Sequence, residues 1–427
     1  MFKRRCFHSP PPQNFPLHSD PMRKTGRLGV IACLVLLLTA CGEVWNSPYP
    51  AEFRGQNILY SAFTERPKHL DPVQSYSEDE ATFNAQIYEP PLQYHYLKRP
   101  YTLMPMSASA MPWVSYQDAN GNSVPADSPN VAFSVYDIDI RHGVRYQPHP
   151  ALAREGEAYR YHALRPADLT GIHTLADFAQ SGTRELLAED FVYQIKRLAH
   201  PRLHSPIFGL MSEYIVGLKE YADVLKAADQ AKKGAWLDLR AYPLSGVEAT
   251  GTHAFRVKLR GRYPQFSYWL AMNFFAPIPW EADKFYSQPG MAEKNLTLDW
   301  YPIGTGPYML TENNPNARMV LEKNPNFRGE IYPHDGEPGD EAAGLLADAG
   351  KRVPFIDKVI FTREREGIPY WNKFLQGYYD QSGISSDSFD QAVRVAIDGE
   401  AALSPEMEAK GIKLETSVAT ASRYLAF

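Results

Sequence analysis

Cysteine is almost missing from this 427-residue chain: there are three, Cys6, Cys33 and Cys41, and none follows. A cysteine nucleophile, a CxxC redox pair, a Cys-ligated zinc site and a disulfide are therefore excluded from everything beyond residue 41. A long apolar run is missing too. The stretch 28–40 is apolar apart from Thr39 but is shorter than the roughly 20 residues a spanning helix needs. Basic surplus is absent: the net charge is −5, which removes the electrostatic footprint of a nucleic-acid partner. There is no internal repeat and no G-x-S-x-G elbow. Nothing in the residue pattern makes an enzyme the better reading, and no cofactor or metal is expected.

What is present begins with an export signal. Arg23, Lys24 and Arg27 precede the short apolar run, as in a secretory leader. The run ends Leu38-Thr39-Ala40-Cys41, which resembles the bacterial lipobox, where cleavage exposes a cysteine that carries lipid. Cys41 is thus the expected lipidated first residue of the mature chain, and two or more acyl chains would hold it on a membrane. Pro10, Pro11, Pro12, Pro16 and Pro21 sit where a compact leader would begin, so translation is expected to start at Met22.

Beyond a tether over 41–56, helix and strand patterns mix. The segment 57–63 reads as a strand. Ser77-Glu78-Asp79-Glu80 is an S-x-x-E capping box opening a helix that Pro90 and Pro91 stop. A strand is expected over 131–140 and a helix over 188–200, where Phe191, Ile195 and Leu198 share one face. A second helix is expected over 218–233. Phe255, Val257 and Leu259 alternate with Arg256, Lys258 and Arg260, the pattern of a half-buried strand. A helix is expected over 263–272, a hairpin over 307–323 and a strand over 355–362.

Gly304-Thr305-Gly306-Pro307-Tyr308 poses a choice between phosphate cradle and structural turn. A phosphate loop needs helix N–H groups after its glycines. Here Pro307 lacks one, no Lys-Ser/Thr pair follows, and Tyr308-Met309-Leu310 reads as a strand. The glycines and Pro307 are read as backbone geometry, allowing a positive φ and fixing the entry to the strand. His142, His149, His162 and His173 match no helical ligand spacing and are expected as solvated loop residues. Glu364 and Glu366, alternating with Arg363 and Arg365, are expected on a solvated face.

Gly304–Tyr308 also resembles the GTGPY signature of the family 5 extracellular solute-binding proteins, the peptide and nickel receptors of ABC importers. Five further segments resemble that family in its order: Leu70-Asp71-Pro72, Gln86-Ile87-Tyr88-Glu89-Pro90, Ile140-Arg141-His142-Gly143-Val144-Arg145-Tyr146, Ala188-Glu189-Asp190-Phe191-Val192 and Asn324-Pro325-Asn326-Phe327. The resemblance implies a mixed α/β, two-lobed fold of the type II periplasmic binding protein kind, with an extra subdomain in lobe I. It assigns 57–88 and 246–365 to lobe I, 89–245 to the extra subdomain and 366–427 to the start of lobe II.

The implied function is a lipid-anchored receptor in the periplasm or cell envelope. It would capture small peptides, or another small solute, and hand them to ABC permease subunits. A monomer without nucleic acid is expected. By the same resemblance, the loop after Leu70-Asp71-Pro72 lines the ligand cleft, naming Tyr76, Ser77 and Glu78 as candidate ligand contacts. The alternatives are an exported hydrolase of peptides or glycans and a sensor or chaperone-like lipoprotein. The chain departs from the family in long insertions over 147–187 and 336–352, and in stopping at Phe427, within a strand-like segment. The expectation is an incomplete lobe II with a poorly packed tail over 367–427.

Overall fold

The computed structural model describes residues 48–232, 235–395, 399 and 401–416. The chain divides into two units, 1–54 and 55–427. Of the first, only the last few residues are described, with a 3-10 turn over Ala51–Phe53. The expected leader and the start of the tether, Cys41 included, lie outside the described residues. Among the described residues no helix is long and apolar enough to cross a membrane.

The larger unit holds two principal sheets. One has four strands in the order Ile58–Phe63, Lys358–Arg363, Arg318–Lys323, Tyr308–Asn314. The first two run parallel and the others antiparallel. The hairpin 308–323 forms as its turn residues Asn314-Pro315-Asn316 require, with a register shift between Leu310 and Glu312. The helix Glu78–Ile87 covers this sheet through Phe83, whose ring meets Phe63 at 5.9 Å and Phe361 at 5.0 Å, both edge-on.

The other sheet has five antiparallel strands, ordered Ser123–Val124, Trp113–Gln117, Phe133–Asp139, Ala254–Arg260, Val247–Gly251. Period-two alternation buries Phe255, Val257 and Leu259 while their neighbours face outward. Phe191, on the helix Ala188–Arg197, stacks on Phe255 at 5.0 Å and 7°. That helix is buried along nearly its whole length. Within 247–260, Ala254–Arg260 pairs with Phe133–Asp139 and Val247–Gly251 pairs with Ala254–Arg260, so both strands belong to the five-stranded sheet. One continuous apolar core runs beneath both sheets.

Two local expectations change. The helix expected over 263–272 is only Phe266–Trp269, followed by a 3-10 turn over Asn273–Phe275. The tail from Gly367 carries a small core of its own, made by Trp371, Ala392, Val393 and Met407. Among the described residues it forms three short helices, Gly367–Leu375, Ser386–Ala392 and Pro405–Ala409, and a two-stranded ribbon.

Candidate ligand-binding face

Sequence signatures that lie far apart meet in one buried knot. The amide of Gly306 donates to the Ile87 carbonyl at 2.9 Å. A Cβ on Gly304 would stand 1.9 Å from that same carbonyl oxygen, and one on Gly306 would stand 2.7 Å from it. Neither glycine occupies the left-handed region, so close backbone approach, and not a positive φ, demands them. The Asn324 side chain donates to the Gly306 carbonyl at 2.9 Å, and the Asn326 side chain to the Tyr146 carbonyl at 2.8 Å. Glu89, fully buried, pairs with Arg328 at 2.9 Å. Burial pushes its carboxyl above the usual range although Arg328 opposes the shift. Both glycine amides are committed to protein acceptors: Gly304 donates to the Gln147 side chain at 3.2 Å and Gly306 to Ile87. The arrangement leaves no anion cradle.

The loop 64–77 is wound around Glu80. One carboxylate oxygen accepts from Lys68 N at 3.2 Å and His69 N at 2.9 Å, the other from Tyr76 N at 2.7 Å and Ser77 N at 3.1 Å. Burial alone would raise the pKa of Glu80, but these four N–H groups outweigh it and hold the carboxyl below its ordinary value. Asp71 fixes the other side of the loop. Its carboxylate takes both ends of the Arg197 guanidinium, at 2.9 and 2.7 Å, and its Oδ1 also accepts from Val73 N at 3.1 Å. The loop is thereby tied to the last turn of the helix Ala188–Arg197.

This scaffold presents the three candidate contacts in different ways. Tyr76 is 63 % exposed, its ring tilted beside Phe274 at 6.4 Å. Ser77 is turned back into the helix, its Oγ accepting from Glu80 N. Glu78 is exposed in the helix's first turn, next to Asp79. Burial raises the Asp79 carboxyl, and Glu65, Glu78 and Glu80 add to the shift. Phe274 also meets Trp269 at 6.4 Å, and Tyr268 and Met272 on the same segment are exposed. The result is an aromatic shelf beside an acidic helix start. Such a surface can pack apolar side chains and favour a cationic group.

Of the histidines and acids expected in solvent, His142, His173 and Glu366 are exposed, whereas His149 and Glu364 are not. His149 is buried, its Nε2 2.7 Å from the Tyr286 hydroxyl and its Nδ1 accepting from Ala151 N at 3.0 Å. Burial lowers its pKa to about 3. Glu364 is buried as well, paired with Lys373 and accepting from the Tyr379 hydroxyl. The stretch 147–187 is not a plain surface loop, because Leu152, Leu169 and Phe178 enter the main core. The Glu80 and Asp71 anchors were partly visible in the capping box and in Leu70-Asp71-Pro72. Arg197 and Phe274 carried no sequence signal.

Residues 180–408, more than half of the chain, match the family model for bacterial extracellular solute-binding proteins, family 5, middle region. Over 142 residues the chain is 30 % identical to the periplasmic oligopeptide-binding protein OppA of Salmonella typhimurium, covering 33 % of this chain and 22 % of that one. Among solved structures it is similar to the Escherichia coli murein tripeptide binding protein MppA, at 17 % identity and a TM-score of 0.48, over 79 % of this chain and 48 % of that one. It is also similar to Listeria monocytogenes OppA bound to peptide, at 13 % identity and a TM-score of 0.49, over 79 % and 48 %. The chain thus spans about half the length of these solved structures. By the family match, this chain belongs to the bacterial extracellular solute-binding proteins of family 5.

Proposed function

We propose that this chain is part of the substrate-binding component of an ABC importer that captures small peptides and delivers them to a membrane permease. The match to the family 5 model over residues 180–408 carries this reading. The choice of peptides is supported by the relative named as an oligopeptide-binding protein, and by the aromatic shelf at Tyr76 and Phe274 beside Glu78. An extended peptide would be held mainly through its backbone, with roomy contacts for its side chains. The protein acts as a monomer in the periplasm or cell envelope, held to the membrane by lipid on Cys41. It is a receptor and not a catalyst.

Uptake of labelled tri- and tetrapeptides by cells with and without the gene tests the transport reading. Loss of peptide uptake with unchanged uptake of free amino acids is the expected result. Unchanged peptide uptake, or turnover of peptides or glycans by the purified protein, would overturn it. Lipid labelling that persists in a Cys41→Ser variant would remove the anchor from the proposal.

A further inference from the structure

His142, Glu185 and His253 lie far apart in sequence and together in space. Their ligand atoms all fall within 4.8 Å of one another. The two imidazoles face each other at 3.9 Å and 35°, and His253 Nε2 stands 2.9 Å from Glu185 Oε1. No residue of this group takes part in the ligand-binding face described above. We propose that these three side chains form a binding site for a divalent transition ion of the zinc class, on the far end of the five-stranded sheet.

The backbone fixes the three carriers before any ion arrives. Ile140 N donates to the His253 carbonyl at 2.8 Å, joining the end of one strand to the turn between two others. Leu186 N donates to the Val144 carbonyl at 2.8 Å, Ala188 N to the Thr252 carbonyl at 2.9 Å, and Arg145 bridges to Glu185. Gly143 N donates to Glu185 Oε1 at 2.6 Å, orienting the carboxylate.

The donor set selects the ion. Two imidazole nitrogens and one carboxylate oxygen suit zinc, copper or nickel, whereas calcium and magnesium prefer all-oxygen sites. Zinc holds such donors at about 2.0–2.2 Å, which places them about 3.3 Å apart. The present spacing therefore has to close by about 1.5 Å at most. An imidazole binds through the lone pair in its own plane, so the two tilted, facing rings must turn. His142 is exposed and Glu185 and His253 are half-buried, which leaves room for that turn and for water on the remaining coordination positions.

The test is a titration of the metal-free, untagged protein with Co²⁺, followed by visible absorption, and with Zn²⁺ by calorimetry. One ion per chain is expected, with Zn²⁺ displacing Co²⁺ and neither Mg²⁺ nor Ca²⁺ competing. His142→Ala and His253→Asn should each weaken binding by about 10–100-fold or more. His142→Gln, at an exposed position, serves as a second variant should the others fold poorly. Absence of saturable binding would overturn the site. So would unchanged affinity in a folded His142→Gln or His142→Ala/His253→Asn variant, or equal competition by Mg²⁺.

Discussion

Arg197 grips both carboxylate oxygens of Asp71 across 126 positions of sequence, with their side chains only 2 % and 4 % exposed. The pair joins the loop after the first strand to the last turn of the helix Ala188–Arg197. Burial alone would pull the guanidinium's pKa down, but Asp71 outweighs it and raises it. Removing one partner strands a buried charge. Asp71→Asn should therefore cost about 3–5 kcal/mol in urea unfolding. The double variant Asp71→Asn/Arg197→Met should recover part of that loss. Additive losses in the double variant would show that the two residues act separately.

Gly304→Ala should be more damaging than its size suggests. The added carbon would overlap the Ile87 carbonyl at 1.9 Å, and backbone cannot step aside as a side chain can. A loss of at least about 1–3 kcal/mol is expected. Gly251→Ala, where a Cβ meets nothing within 4 Å, is the control. Equal midpoints for the two variants would contradict the packing argument.

Glu80→Gln keeps the shape of the side chain and removes the charge that four amides converge upon. The loop 64–77 should loosen, with faster hydrogen exchange at His69 and Tyr76 and a stability loss of about 1–3 kcal/mol. Because the folded carboxyl titrates below its unfolded value, its contribution is present above the unfolded pKa and fades as pH falls through the folded one. The variant should therefore lose part of the wild-type's stability slope in that acid range. Unchanged exchange at both amides would refute the anchoring role.

His149 makes a second acid-linked contribution. Its ordinary pKa is 6.5, and burial lowers it to about 3 in the fold. Between those values the unfolded chain binds the extra proton, so stability falls as pH falls. From pH 7 to pH 5 the loss attributable to this group is about 2 kcal/mol. His149→Gln should flatten that part of the profile, measured by denaturant midpoints at fixed salt. A slope identical to wild type would mean that the imidazole charges without unfolding.

Tyr76→Ala tests the ligand-binding face. The ring is mostly exposed, so thermal stability should change little. Affinity for short peptides should fall by about 1 kcal/mol or more if Tyr76 is an aromatic anchor. A change within about 0.5 kcal/mol would place the contact elsewhere.

The parts legible in sequence were those governed by local rules. Ser77 and Glu80 announced their cap, and Phe255, Val257 and Leu259 announced a strand with one buried face. Helix Ala188–Arg197 was visible from Phe191 and Ile195, though its end came before Leu198. What local pattern could not supply was partnership. The alternation in 254–260 does not say which sheet receives it, and His142 gives no hint of His253. Glu364 sits in a charged run that looks solvated, yet Tyr379 and Lys373 close over it. The segment 263–272 was apolar enough for a helix, but its aromatic side chains pack in several directions and end it after one turn.

The parallel pairing of Ile58–Phe63 with Lys358–Arg363 sets a timetable for folding. Ile58 and Lys358 are 300 positions apart, and among the described residues the first strand pairs with no other strand. At about 5–20 residues per second of synthesis, roughly 15–60 s separate the appearance of the two strands. Throughout that interval Ile-Leu-Tyr-Ser-Ala-Phe is an apolar strand with both edges open, the kind of segment that pairs with another copy of itself. Closure of the four-stranded sheet waits on Arg363, and the bonds that tie Tyr60 to Asp380 wait on the segment beyond it.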